Sequence, residues 1–221
     1  RPRAGEMCEG LTDHWGYAED DICVKSPKQL VETLVDCRKY NCNLLLNCGP
    51  KGDGTIAEGE HAALIAVGRW INRTGNFIYN AVPADIAADG ADVFFDGDAY
   101  YVLVRDVPME ANANVTRLDG NKRIVKLNTI RKITHAEWVD NGKPVEMTDG
   151  SSLIVAPFDY GTSLGCRVAK LTVSKPKIAF LGDSITEGAG ASDVQHMYTH
   201  VLCDMLGATE CNYGVGGTRI A

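Results

Sequence analysis

Hydrophobic and polar positions change their period several times along the chain, and each change marks a different kind of element. Leu30, Val31, Leu34 and Val35 recur at helical spacing, with Glu32, Asp36, Arg38 and Lys39 outside the stripe. Ser26-Pro27-Lys28-Gln29 opens that helix: Ser as N-cap, Pro at the first helical position, and Gln placed to close a capping box. After a short turn at Asn41 the period breaks at Leu44-Leu45-Leu46, which has no alternation and is too short for a helix. Such a run predicts a strand buried on both faces, as in parallel sheets. Asn43 and Asn47 bracket it, and it stops at Gly49-Pro50 before a Gly52-Asp53-Gly54 turn. A second helix is predicted over 60–73, with Leu64, Val67, Gly68 and Ile71 in register and a left-handed cap at Thr74-Gly75-Asn76. Helix, buried strand, helix is the repeating unit of an α/β barrel, and residues 43–55 read as its last strand.

Beyond residue 81 the apolar runs shorten. Val93-Phe94-Phe95 and residues 99–104 flank Asp96-Gly97, a hairpin signature. Further short strands are predicted at 124–127, 137–139, 153–158 and 167–173, punctuated by Asp119-Gly120, Asn141-Gly142 and Asp149-Gly150. Short strands with glycine turns predict an antiparallel β-sandwich. Lys175-Pro176-Lys177 reads as a linker, and Ile178-Ala179-Phe180-Leu181 as a buried strand that runs directly into Gly182-Asp183-Ser184. A helix over 198–206, with Tyr198, Val201, Leu202 and Met205 on its apolar face, leads to the loop Asn212-Tyr213-Gly214-Val215-Gly216-Gly217. The expected fold is α/β and all-β in three parts. Residues 1–80 form the end of a (β/α)8 barrel, 81–174 an antiparallel β-sandwich, and 175–221 the first β-α-β elements of an α/β domain.

Length, charge and cysteines narrow the function. A chain of 221 residues can build one or two domains with a sizeable core. Its net charge of −7 argues against nucleic acid as a partner. No apolar run approaches the ~18–20 residues of a membrane span. The opening Arg1-Pro2-Arg3-Ala4-Gly5-Glu6 lacks the apolar stretch of a signal peptide and an initiator Met. The sequence therefore reads as a piece cut at both ends, with its compartment undetermined. No cofactor or metal is expected: Cys37, Cys42 and Cys48, the closest set among eight cysteines, match no zinc spacing. The cysteines read as small buried apolar residues with free thiols. Asn72-Arg73-Thr74 and Asn114-Val115-Thr116 match the short glycosylation pattern, which recurs often by chance.

Motifs in the first eighty residues carry a family resemblance. Glu6-Met7-Cys8, Trp15-Gly16-Tyr17, Leu30-Val31-Glu32-Thr33-Leu34-Val35-Asp36, Asn43-Leu44-Leu45-Leu46-Asn47-Cys48-Gly49-Pro50 and Asp53-Gly54-Thr55 occur in that order. Gly68-Arg69-Trp70 and Gly75-Asn76-Phe77-Ile78-Tyr79 continue the series. Together they resemble the end of the catalytic barrel of an α-L-fucosidase of glycoside hydrolase family 29. The resemblance implies a retaining glycosidase, in which an Asp attacks the anomeric carbon and a second carboxyl group serves as acid and base. It maps that acid/base onto Glu6, preceded by Gly5 where the family usually has Trp, and puts the nucleophilic Asp upstream. The alternative for Glu6 is an acidic residue on a barrel rim. Trp15 is a candidate to stack on a sugar face, or to pack in the interior; Asp13, Asp20 and Asp21 read as solvated loop carboxylates. The implied partners are fucosylated glycans.

A second resemblance begins at residue 178. Ser184, on a tight turn after a strand, could expose its hydroxyl as a nucleophile with its own N–H aimed at a developing oxyanion. Gly182-Asp183-Ser184 with the 212–217 loop is similar to the first two blocks of an SGNH, or GDSL-type, esterase. That similarity maps Ser184 onto the nucleophile and Gly217 onto the oxyanion glycine, with O-acylated glycans as the implied substrate. Asp193-Val194-Gln195-His196 has the spacing of the family's Asp-His pair but lies a dozen residues after the serine, and reads as coincidence. Two other readings stand beside this tandem: an esterase with a degenerate barrel remnant, and a non-catalytic sugar-binding sandwich. Neither catalytic set is complete in these residues, so no turnover and poor solubility are expected of them alone.

Overall fold

A computed structural model describes residues 5–74, 76–110, 122–129 and 131–218, and divides the chain into two compact units at residues 172/173. The chain is mixed α/β with antiparallel sheets.

The first unit opens with β1 (Gly5–Gly10), α1 (Pro27–Lys39), β2 (Cys42–Asn47), α2 (Glu58–Thr74) and a single turn, α3 (Phe77–Asn80). The capping box at Ser26 forms: Gln29 N–H donates to the Ser26 hydroxyl, and the Gln29 side chain accepts from Ser26 N–H. Asn41 and Asn76 take positive φ, 53° and 59°, so each turns the chain where a helix ends. β1 and β2 pair in parallel from Gly5 against Cys42 to Gly10 against Asn47. The expectation that 44–46 would be buried on both faces is corrected: Leu45 is 45% exposed. Strand alternation puts Leu44 and Leu46 on one face and Leu45 on the other. Leu46 packs on the helical core, whereas β1 is the sole paired neighbour of β2 among the described residues. The Asn72 glycosylation pattern lies inside α2, with Thr74 buried and its hydroxyl donating to the Trp70 carbonyl. The Asn114 pattern and the 119–120 turn lie outside the described residues.

Among the described residues nine strands follow: β3 (Val82–Pro83), β4 (Ala87–Ala88), β5 (Asp92–Phe95), β6 (Tyr100–Val104), β7 (Arg123–Asn128), β8 (Ile133–Trp138), β9 (Glu146–Thr148), β10 (Ser152–Val155) and β11 (Arg167–Val173). They form a four-stranded sheet, β4-β7-β10-β9, and a five-stranded sheet, β3-β5-β6-β11-β8. The Asp96-Gly97 turn joins β5 to β6 with Gly97 at φ 99°, a conformation that L side chains rarely adopt. β6 is buried at every residue, because it lies between β5 and β11.

Architecture changes near residue 81, yet the packing runs through it. Leu30, Val35, Val67 and Phe77 share one core with Phe94, Tyr101, Leu103 and Val168. Phe77 stacks on Tyr101 at 4.7 Å between ring centroids. Asp92 on β5 accepts from Lys39 (2.9 Å) and from Arg105 (2.9 Å), and Arg105 also reaches Asp36 on α1. Burial alone would raise the Asp92 carboxyl, but the hydrogen bonds from Lys39 and Arg105 outweigh it and hold it below its ordinary value. A carboxyl lowered in the folded state contributes stability above the unfolded value, about pH 4, and loses it as pH falls through the folded one. The melting-temperature gap between the native chain and Asp92→Asn is therefore expected to be widest near pH 7 and to close toward pH 2. A gap constant across that range would refute the linkage.

The second unit holds β12 (Lys177–Gly182), α4 (Ser184–Glu187), α5 (Tyr198–Met205) and β13 (Thr209–Gly214), with β12 and β13 parallel. Two expectations are corrected here. Leu181 in β12 is exposed rather than buried. The apolar stripe of α5 also faces outward, Met205 at 79% exposure, while Thr199 and Cys203 are the buried positions. The reason is local: α5 meets β13 through polar contacts, with Asn212 Nδ2 3.4 Å from the Thr199 hydroxyl. All eight cysteines are free; Cys37, Cys166 and Cys203 are buried, but Cys8 and Cys23 are exposed, against the uniform burial expected. No helix among the described residues is long and apolar enough to cross a membrane.

Candidate functional site

In the first unit the organised surface lies where β1 and β2 end. Leu11 N–H donates to the Asn47 carbonyl (3.0 Å), and Lys25 N–H to the Leu11 carbonyl (2.8 Å), so the 11–25 loop returns to the strand ends. Lys25 Nζ ties the end of that loop back to β1, donating to the Gly10 carbonyl (2.8 Å) and pairing with Glu9 (2.8 Å). Asp21 is a structural acceptor rather than the solvated carboxylate expected: its side chain is buried, and it receives His14 Nδ1 (2.8 Å) and Cys23 N–H (2.9 Å). The His14 bond is the main cause that holds its carboxyl below the ordinary value.

Asn47 then fixes the apex. Its Nδ2 donates to the Trp15 carbonyl (2.6 Å), and Trp15 is 63% exposed in this chain. Lys51 sits over the Tyr17 ring at 5.7 Å. Gly49 is required by close approach: a Cβ there would lie 2.5 Å from the Gly16 carbonyl carbon and from Tyr17 N. Its N–H donates to the buried Glu60 carboxylate (3.2 Å) on the first turn of α2. Asn47 as a rim residue bonding backbone was legible in the sequence, and it does so at the Trp15 carbonyl. Gly49 and Glu60 were not; the only signal for them was a glycine just beyond the strand and an acidic residue at the start of a helix.

Glu6 is not brought to this apex. It pairs in register with Asn43 and accepts from Asn43 Nδ2 (2.7 Å), at the opposite end of the strands from Gly10 and Asn47. Four residue steps along the strand take Glu6 to Gly10, on the order of 13 Å. Glu6 and the Trp15 loop therefore lie toward opposite ends of the β1–β2 pair.

In the second unit the structure does assemble the serine and the glycine loop. Asp183 caps α4, accepting Ile185 N–H at 3.1 Å, which sets Ser184 at the first helical position. Gly182 must lack a Cβ, which would fall 2.1 Å from the Thr186 hydroxyl. Val215 N–H donates to the Gly182 carbonyl (3.0 Å), and a Cβ on Gly216 would come within 3.7 Å of Ser184 Cβ. Gly217 turns the loop at φ 79°. Asn212 braces it, donating to the Thr186 carbonyl (2.6 Å) and accepting Gly214 N–H (2.8 Å). Gly216 N–H is already committed to the Glu187 carboxylate (2.7 Å). Asp193 and His196 touch at 2.7 Å, but both are exposed and form the cap of their own turn; among the described residues neither bonds to Ser184. No group of three or more His, Cys, Asp or Glu among the described residues could hold a metal ion.

With this geometry in hand, comparison with known proteins gives a consistent direction. Residues 2–76 match the family model described as alpha-L-fucosidase. The tissue alpha-L-fucosidase of Bos taurus is 32% identical over 110 residues, 47% of this chain and 23% of the bovine protein. The fold is similar to that of alpha-L-fucosidase isoenzyme 1 from Paenibacillus thiaminolyticus, at TM-score 0.60 and 24% identity over 79% of this chain and 43% of that one. It is also similar to a Thermotoga maritima alpha-fucosidase in complex with fucose, at TM-score 0.58 and 23% identity over 76% and 39%. The chain thus spans less than half of each of these relatives.

Proposed function

We propose that residues 5–172 are the closing β-α-β-α segment and the supporting β-sandwich of a retaining α-L-fucosidase that acts on fucosylated glycans. The observation that carries this reading is the Trp15 loop, pinned by Asn47 at the carboxyl ends of two parallel strands within the very residues that match the fucosidase family. An exposed indole held by a backbone tether is suited to stack on a sugar face. Glu6 as acid/base rests on the motif alone; its geometry favours a pairing role with Asn43. The protein that carries this chain is expected to hydrolyse p-nitrophenyl α-L-fucoside, and a folded protein that releases no nitrophenolate would overturn the assignment. Glu6→Gln separates the two roles: a pairing residue leaves kcat within a few-fold, whereas an acid/base costs about 10²–10⁴. Residues 1–221 by themselves are expected to show no turnover, since retaining hydrolysis needs two carboxyl groups about 5–5.5 Å apart.

For residues 173–221 the reading is the start of an SGNH-type esterase domain that would deacylate carbohydrate esters. Ser184 is the nucleophile, and Ser184 N–H with Gly217 N–H forms the oxyanion site. What supports it is the closeness of Ser184 to the glycine loop, with Gly216 N–H engaged by Glu187 and so excluded from that role. In the protein that carries this chain, p-nitrophenyl acetate hydrolysis should vanish in Ser184→Ala and persist in Glu6→Gln. Hydrolysis that survives Ser184→Ala would remove the esterase reading.

A further inference from the structure

Away from both sites, α1, α2 and the 163–165 loop enclose a cavity of about 400 Å³. Its apolar wall is Val31, Trp70 and Leu164, and its cations are Lys28, Arg69 and Arg73; no carboxylate lines it. Trp70 is 3% exposed, and its indole Nε1–H is buried without a hydrogen-bond partner. The cations are not equivalent. Lys28 is already paired with Asp106 and lies 3.8 Å from Glu32. Arg69 and Arg73, four residues apart on one face of α2, make no ion pair or hydrogen bond among the described residues. Two guanidinium groups, unpaired among the described residues and beside an apolar wall, match one ligand chemistry.

We propose that this cavity binds a small organic anion, one carboxylate, sulfate or phosphate group on a ring-sized body. The anionic group is held by Arg69 and Arg73, and the body packs on Val31 and Leu164, beside the Trp70 ring that lines the same cavity. Guanidinium forks favour such oxyanions in paired geometry, and a cavity of this size lies at the small-ligand end of the usual range. The site is independent of the fucosidase and esterase readings.

The test uses the ¹⁵N-labelled full chain, whose three tryptophans give separate indole N–H signals, with Trp70→Phe identifying the one of interest. Benzoate and glucuronate are titrated beside their uncharged counterparts, benzamide and glucose, and beside inorganic phosphate. Saturable movement of the Trp70 signal with at least one organic acid is expected, weakened roughly tenfold or more in Arg69→Gln/Arg73→Gln. Both arginines are exposed, so this variant keeps the fold and a native spectrum verifies it. A Trp70 signal unmoved by every anion, moved equally by the uncharged compounds, or moved equally in the double variant would overturn the site. Phosphate acting as strongly as both organic acids would overturn the organic body.

Discussion

Arg167→Met is expected to lower the stability of the first unit by about 3–5 kcal/mol, because it strands a buried carboxylate. Arg167 and Asp140 have side chains only 3% and 5% exposed, with Nε 3.1 Å from Oδ1. Arg167 Nη1 also donates to the carbonyls of Ala156 (2.7 Å) and Pro157 (3.1 Å), and its guanidinium lies 4.2 Å from the Trp138 ring centroid. One side chain thus links β11, β8 and the segment after β10. Removal of the cation leaves Asp140 charged and dry and two carbonyls short of a donor. The companion Arg167→Met/Asp140→Leu deletes the charge as well, and should recover most of the loss, since the desolvation penalty disappears with it. Urea midpoints of the three chains decide the matter. A single variant that unfolds at the native midpoint would show that the pair is not desolvated as described.

Gly49→Ala carries the second large effect, about 1–3 kcal/mol with displacement of the Trp15 loop. The new methyl would stand 2.5 Å from the backbone at Gly16 and Tyr17, and no flexible side-chain end is there to yield. Gly16→Ala is the matched control. Nothing lies within 4 Å of a Cβ at Gly16, and it should stay within about 0.5 kcal/mol of the native chain. If the two alanines shift the urea midpoint equally, the close approach is not what makes Gly49 a glycine. If the fucosidase reading holds, Gly49→Ala should also depress hydrolysis by the protein that carries this chain, with Gly16→Ala less affected.

Local rules explain which elements the sequence disclosed. Ser26 through Gln29 specifies a helix start by contacts three residues apart, so the start of α1 was legible to the residue. Asp96-Gly97 specified the β5–β6 hairpin for the same reason, and Asn76 the left-handed cap. The two-residue strands β3 and β4 and the single turn α3 were not legible; they are too short to show a period and exist because neighbours pair or pack with them. The polar brackets of the second strand were legible: Asn47 bonds backbone at the strand's rim, donating to the Trp15 carbonyl. The partners Gly49 and Glu60 near the Trp15 loop, and Asn212 and Glu187 under the glycine loop, were not, because each acts through a contact with a distant or turned-back segment.

By itself, the sequence determined where α1 starts and where the Asp96-Gly97 hairpin turns, through interactions that span a few residues. Only the tertiary structure decided three further matters. The parallel register of β1 with β2 put Glu6 and Trp15 at opposite ends of the strand pair, a consequence of strand direction that no linear motif encodes. The shared core of the helices and the sandwich joined segments whose patterns differ, because burial depends on what faces a side chain and not on its neighbours in the chain. And the exposed faces of Leu45 and α5 followed from which partner each apolar stripe meets, which periodicity can orient but cannot supply.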